Sequence, residues 1–371
     1  MSKTLQDYAT LINDTIQSNE INHYITTDNM CQNLGGIDTL KNINIPQRKV
    51  RSFQKDDVLL SNIRLYFRKV YRAKQKGGCS SDVLVFRAKH IDSATLFAIL
   101  SSQIFTDYAC SGSQGSKMPR GNKTHMMDFK IPTINFTIAK IFNSIQNKIE
   151  NNHKINELLH KILELLYEQY FVRFDFLDGN NKPYQTSGGK MKFSKELNRL
   201  IPNDFEVKTL GELTQLKVGN KNANHSSNQG KYPFFTCSNN PLRCETYQFE
   251  GKHIIISGNG NFYVTHYDGK FDAYQRTYVV SPNNPNHYVL IYLFVKSYTN
   301  YLKLQSRGSI IKFITKSDIE NIKIVLPNLK TYAKWNNVLK MIENNMQSTQ
   351  TLTALRDFLL PLLLKQQVKP Q

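Results

Sequence analysis

The chain has 371 residues, 40% hydrophobic and 21% charged, with 48 Lys and Arg against 29 Asp and Glu. This is a folded protein long enough for two or three cores, and its net charge of +19 favours a polyanion. Nucleic acid is the commonest such partner and a membrane surface the plain rival. No run approaches the roughly eighteen continuous apolar residues of a membrane span, and the amino end lacks a signal-peptide core, so a cytoplasmic protein is expected. Five scattered cysteines form no CxxC pair, which indicates neither a disulfide framework nor a zinc site.

In chain order, the first dense signal is basic. Arg48, Lys49, Arg51, Lys55, Arg64, Arg68, Lys69, Arg72, Lys74 and Lys76 stand against only Asp56 and Asp57, with Tyr66, Phe67 and Tyr71 interleaved. Phosphate neutralisation needs such a density of cations, while base reading needs planar or amide side chains near a groove. The plain alternative is a solvated basic face. Short β-rich runs follow at Val58–Leu60 and Val83–Phe86, then a helix-like segment at Ala94–Tyr108. The loop Ser113–Lys123 adds Lys117, Arg120 and Lys123 beside Gly115-Ser116, where the backbone can approach a phosphate closely.

Next comes Ile134–Val172, free of Pro and Gly, after Phe129-Lys-Ile-Pro132. Its Ile138, Ile141, Ile145, Ile155, Leu159, Ile162 and Leu166 predict a coiled-coil seam, interrupted by a polar middle at Lys148 and Asn152. Arg173–Asp204, with Gly188-Gly189, reads as an irregular exposed connector. Strands are expected at Ile254–Ile256 and Thr277–Val280 and a helix at Tyr288–Tyr301. The counterpart of the basic segment is Gly258–Arg276, with Asn259, Asn261, Tyr263, His266, Tyr274, Gln275 and Arg276. A second loop, Gln305–Lys312, holds Arg307 and Lys312. The second seam lies in Leu329–Leu364, at Val338, Ile342, Leu352, Leu355, Leu359 and Leu363, with Asn345 and Thr349 as its polar middle. Two such helices in one chain most simply pair with each other.

The two halves are collinear. Lys3–Leu11 echoes Lys208–Leu216, Tyr24-Ile-Thr26 echoes Phe234-Phe-Thr236, and Val58–Ser61 echoes Ile254–Ser257. Val83–Phe86 echoes Tyr278–Ser281, and Gly115-Ser116 echoes Gly308-Ser309. The offset is 193 between Gly115 and Gly308 and 210 between Tyr24 and Phe234, with the other pairs between. The chain therefore reads as one unit duplicated in tandem, a globular module followed by a long helix. Different surface chemistry at corresponding places implies two different sequences read.

No catalytic pattern emerges. Gly188-Gly-Lys-Met191 lacks the leading Gly and the hydroxyl residue of a phosphate-binding loop, and Gly258-Asn-Gly-Asn-Phe-Tyr263 lacks the third Gly of a dinucleotide turn. Neither Asn240-Pro-Leu nor Asn284-Pro-Asn supplies an adenine-methyltransferase loop. The histidines are dispersed, so no metal site is expected.

Lys55–Phe67 through Gly78–Phe86 is similar to one version of the first target-recognition domain of type I restriction–modification specificity (S) subunits. The join Phe174-Asp-Phe, Lys182-Pro-Tyr, Ser187-Gly-Gly-Lys-Met191 and Leu200-Ile-Pro-Asn-Asp-Phe205 resembles that family's link into its second domain. With the repeat, the resemblance covers essentially the whole chain. Two departures stand out. The Ile-Pro lead at Ile201-Pro202 has no counterpart before Lys3, which implies a trimmed amino end, and Pro361 implies that the second helix kinks or ends differently from the first.

The resemblance implies an α+β fold of two target-recognition domains, 1–133 and 205–328. Each is followed by a long helix, 134–175 and 329–371, with a connector at 176–204, and the helices pair as an antiparallel coiled coil. It implies a non-catalytic subunit without a cofactor of its own, binding an asymmetric two-part target in double-stranded DNA. It would dock two methyltransferase (M) subunits, which carry S-adenosylmethionine and modify adenine, and in some systems restriction (R) subunits. The alternatives are the specificity part of a combined nuclease–methyltransferase system and a stand-alone DNA-binding protein. A basic enzyme acting on nucleic acid is disfavoured by the missing motifs.

Overall fold

β-Branched and aromatic runs bounded by turn residues form strands throughout. The computed structural model describes residues 3–38, 43–131, 134–227, 229–327 and 332–364. Pro132, the Leu329 start of the second helix and the tail 365–371 lie outside the described residues. The chain divides into two compact units: one takes the residues up to Ile155 and those from Asn345 on, the other Asn156–Asn344.

The strands of the first unit are β1 (Ala9–Ile12), β2 (Thr15–Gln17), β3 (Tyr24–Ile25), β4 (Lys49–Phe53), β5 (Val58–Ser61), β6 (Val70–Arg72), β7 (Gly77–Cys79) and β8 (Val83–Ala88). They form two sheets, in the orders β1-β8-β5-β6 and β2-β4-β7-β3, antiparallel except where β3 meets β7. The expected Ala94–Tyr108 helix is two helices, Ser93–Ser101 and Gln103–Ser111. Ser102 divides them: it is extended, and its hydroxyl caps the second by accepting from Phe105 N. Leu60, Phe86, Phe97, Phe105 and Phe142 are buried in one core.

In the second unit, β9 (Met191–Ser194) and β10 (Arg199–Pro202) form a hairpin, and β11 (Glu206–Thr209) pairs with β18 (Lys323–Leu326). β12 (Thr214–Val218), β13 (Tyr232–Phe235), β14 (Leu242–Cys244), β15 (Phe249–Ser257), β16 (Val264–Ala273) and β17 (Thr277–Pro282) build one sheet, ordered β12-β17-β15-β16-β13-β14. Only β13 and β16 run parallel within it. The expected Tyr288–Tyr301 helix is likewise divided, into Tyr288–Ser297 and Thr299–Gln305.

The connector is less irregular than its Gly, Asn and Lys content suggests. Besides the β9–β10 hairpin, Phe176 stacks on Tyr184 at 4.9 Å and on Phe205 at 5.5 Å. Spaced aromatics, hidden among turn residues, pack on the second unit's core, while most of the segment is exposed as expected.

The long helices also differ from their predicted seams. The first is α-helical over Phe136–Tyr167 and closes in a single π-helical turn, Glu168–Val172. Its buried row is Ala139, Phe142, Ile145, Gln146, Ile149, Asn152, Asn156, Leu159, Leu163 and Tyr167. Ile141, Ile155 and Ile162 lie among the exposed apolar side chains, and Lys148 is exposed too. Ile145, Leu159 and the polar Asn152 of the expected seam are buried, but the seam runs on through asparagines rather than through Ile141, Ile155 and Ile162. The second helix is α-helical over Tyr332–Leu359 and ends in a 3₁₀ turn, Leu360–Leu362, at Pro361. Leu355 faces solvent there, while Arg356 beside it is buried.

Where the first unit uses both helices, Gln146 Oε1 accepts from Arg356 Nη1 at 3.1 Å and Asn152 Nδ2 donates to Thr349 Oγ1 at 3.1 Å. Partners thus descend one helix as they ascend the other. In the second unit Asn156 Nδ2 donates to the Ile342 carbonyl at 3.3 Å, beside buried Leu159, Leu163, Trp335 and Leu339.

Candidate nucleic-acid interface

Each unit folds a cation-bearing loop back onto the end of a central strand. In the first, Arg120 bridges both Gln114 and Ile63, the latter two residues beyond β5. In the second, Phe313 bridges both Arg307 and Asn259, the latter two residues beyond β15. Gly121 N donates to Asn62 O at 3.1 Å in one unit, and Ile314 N to Gly258 O at 3.0 Å in the other. The next residues cap short helices in both: Asn122 accepts from His125 N, and Thr315 accepts from Asp318 N. The pairing requires an unusual backbone nearby. Arg64 (φ 51), Arg68 (φ 49) and Phe262 (φ 52) are left-handed, as are Gly115 (φ 95) and Gly308 (φ 97). For a residue with a Cβ this costs on the order of 1–3 kcal/mol, and such strain clusters at functional sites.

The anticipated residues of the first unit fall into two groups. Tyr66, Lys117, Arg120 and Lys123 are exposed; Arg120 also pairs with Asp82 at 3.1 Å. The others are engaged within the unit. Arg64 Nη2 donates to the Lys117 carbonyl at 3.1 Å, tying strand end to loop. Arg68 Nη2 donates to the Ser101 carbonyl at 2.9 Å, and burial lowers its guanidinium pKa. Lys69 donates to Thr27 O, Arg72 lies 3.8 Å from Asp56, and Lys74 pairs with Glu150 at 3.2 Å.

In the second unit, Asn261, Tyr263, Arg276, Arg307 and Lys312 are exposed. Asn261 Nδ2 donates to the Tyr263 hydroxyl at 3.1 Å, and Arg307 pairs with Asp318 at 3.0 Å. Tyr274, bridged to Lys221, is half-buried, and so is Asn259, whose Oδ1 is buried without a hydrogen-bond partner. His266 points inward: its ring centre is 4.8 Å from that of Tyr292, and burial with nearby His160 pushes its pKa down to about 4. In the sequence it grouped with the surface residues of Gly258–Arg276, where no strand was expected; the structure sets it in β16 with its ring covered. Exposed Ile310 and Ile311 lie between Arg307 and Lys312, and composition alone gave them no weight.

Residues 202–355 match the family model described as the type I restriction modification DNA specificity domain. The second half of the chain carries this specificity domain. Relatives bear the same stamp. A 133-residue stretch, 34% of this chain, is 38% identical to the type I restriction enzyme EcoDI specificity subunit of Escherichia coli and spans 29% of that protein. A 300-residue match, 72% of this chain, is 24% identical to the type I restriction enzyme MjaIX specificity subunit of Methanocaldococcus jannaschii and spans 67% of it. The S subunit of a type I restriction–modification system from M. genitalium shares the fold, with a TM-score of 0.62 at 15% identity over 99% of this chain and 96% of that one. The chain is thus similar to type I specificity subunits, and its specificity domain includes the cation loop bridged to β15. No described helix is long and apolar enough to cross a membrane.

Proposed function

We propose that this chain is the DNA sequence-recognition subunit of a type I restriction–modification complex, built as a tandem repeat of two target-recognition domains. Each domain binds one half of an asymmetric, two-part site. One observation carries the reading: in both units a cation-bearing loop is bridged to the end of the same central strand, although the exposed residues differ. Arg64, Tyr66, Lys117, Arg120 and Lys123 serve one half-site; Asn261, Tyr263, Arg276, Arg307 and Lys312 serve the other. Phosphate contacts from the cations fix position, and amides and aromatics read base edges.

The long helices act as an antiparallel pair that separates the readers and docks two methyltransferase subunits. Support comes from the matched Gln146–Arg356 and Asn152–Thr349 partners and from the apolar Ile141, Leu158, Ile162 and Leu165 left exposed on the first helix. S-adenosylmethionine then belongs to those partners. Methylation mapping of the native genome tests the reading. One bipartite adenine-methylated motif should vanish when this gene alone is deleted. Persistence of every methylated motif, or loss of a continuous one, would refute it.

A further inference from the structure

In the second unit, three side chains unconnected with the cation loop converge. His225 closes the 3₁₀ turn Ala223–His225, Cys244 ends β14, and Asp272 lies near the end of β16. One ring nitrogen, the sulfur and one carboxylate oxygen all lie within 4.8 Å of one another. His225 Nε2 is 3.1 Å from Asp272 Oδ2. Asp272 and Cys244 are both fully buried. Thr246 Oγ1 donates to Asp272 Oδ2 at 2.6 Å, but Asp272 Oδ1 is buried without a hydrogen-bond partner among the described residues. A buried carboxylate with an idle oxygen is costly unless a cation or donor meets it. The His225 side chain is 24% exposed, which opens a route from solvent.

We propose that His225 Nε2, Cys244 Sγ and the Asp272 carboxylate bind one zinc ion, with water in the fourth position. A mixed N, S, O set suits zinc, whereas the sulfur disfavours magnesium and calcium. Tetrahedral zinc at bond lengths of about 2.0–2.3 Å sets its ligand atoms about 3.3–3.8 Å apart. The three ligand atoms, all within 4.8 Å of one another, therefore need to shift by no more than about 1 Å to take up the ion. The thiol of Cys244 loses its proton to solvent as the sulfur takes up the metal, and the His225 ring gives up the Nε2 hydrogen that it donates to Asp272 and carries one on Nδ1 instead. The ion fastens β14, which pairs only with β13 at the sheet's edge, to β16 and to the turn. In the parallel pairing of the first unit, Gly78 faces Tyr24 where Asp272 faces Phe234. The site therefore belongs to the second unit alone.

The full chain, stripped with a chelator, is titrated with zinc alone against a chromogenic competitor, then with cobalt. One zinc per chain and a thiolate-to-cobalt charge-transfer band are expected. Cys244→Ser and Asp272→Asn should each weaken zinc binding at least about 10-fold and abolish or shift the band, while Cys79→Ser in the first unit should change neither. Circular dichroism reports whether each variant folds, and His225→Gln, at a partly exposed position, carries the same expectation if the buried variants do not. Wild-type chain without stoichiometric zinc, or a folded His225, Cys244 or Asp272 variant that binds it as tightly, overturns the proposal.

Discussion

The two units reach one wiring by different local chemistry. In the second, β15 runs unbroken over Phe249–Ser257 and β16 over Val264–Ala273, and they bend where Gly251 faces Gly269, both at positive φ. In the first, the corresponding path is cut into β4 and β5 on one side and β6 and β7 on the other. At the cut, Asp56 is left-handed (φ 72), and buried Asp57 accepts from Gln54 N at 2.7 Å and from Arg87 Nε and Nη2 at 2.8 Å each. A glycine pair in one unit and the pairing of buried Asp57 with part-exposed Arg87 in the other stand at comparable places. The order β1-β8-β5 matches β12-β17-β15, and β3 meets β7 in parallel as β13 meets β16. What recurs is the backbone frame; what changes is the chemistry at its surface.

The helix pair shows the same contrast and yields the largest expected effect. In the second unit Trp335 is buried edge-to-face with Tyr170 and Phe171, each 5.3 Å away. Trp335→Ala should cost about 3–5 kcal/mol in denaturant unfolding and lower protection from hydrogen exchange in that unit first. In the first unit, Asp57→Ala removes the buried acceptor of the Gln54 amide and of part-exposed Arg87. About 1–3 kcal/mol should be lost there, with exchange in the second unit unchanged. Equal loosening of both units by either variant would break the distinction between them.

Acid separates the units more gently. His266 has its pKa depressed, chiefly by burial, to about 4 against the ordinary 6.5. The unfolded chain binds this proton first, so stability is retained above about pH 6.5 and falls as pH drops toward 4, by up to about 3 kcal/mol. His266→Gln should flatten the slope of unfolding free energy against pH in that window; an unaltered slope would show that the ring is not enclosed. The smallest effect concerns Asn152 and Thr349. Replacing both together, Asn152→Leu with Thr349→Val, removes their mutual hydrogen bond and the one Thr349 Oγ1 donates within its helix to the Asn345 carbonyl, and should leave stability level or raise it by about 1 kcal/mol. A loss above about 2 kcal/mol would mean that these groups hold more than those two partners.

Much of the frame was legible in the sequence. The runs at Val58, Val83, Ile254 and Thr277 begin or lie within strands, and the Gly115 and Gly308 loops carry matching bridges. Pro361 marks the end of the second α-helix within two residues, because proline removes a donor and crowds the preceding turn. The seams were legible in part: Ile145, Leu159, Ile342 and Leu363 are buried, and the polar middles meet at Asn152 and Thr349. Burial took Asn156 and Arg356 over the isoleucines at 141, 155 and 162, because a polar side chain enters a seam where a partner meets it and composition does not display partners. The basic segment was legible as charge, but not as geometry. Arg68, Lys69 and Lys74 are held by Ser101, Thr27 and Glu150, all far away in sequence.

The central proposal, that each unit serves one half-site and the helices set the spacing between them, is tested most directly by lengthening both helices where the units divide. Four residues inserted near Asn151 and four near Asn344 add about 6 Å to each helix, against a rise of about 3.4 Å per base pair. The variant is assembled with its methyltransferase subunits and its methylated motif is mapped. The account predicts an unread spacer longer by one or two base pairs between unchanged half-sequences. An unchanged spacer in a folded, active complex would contradict it.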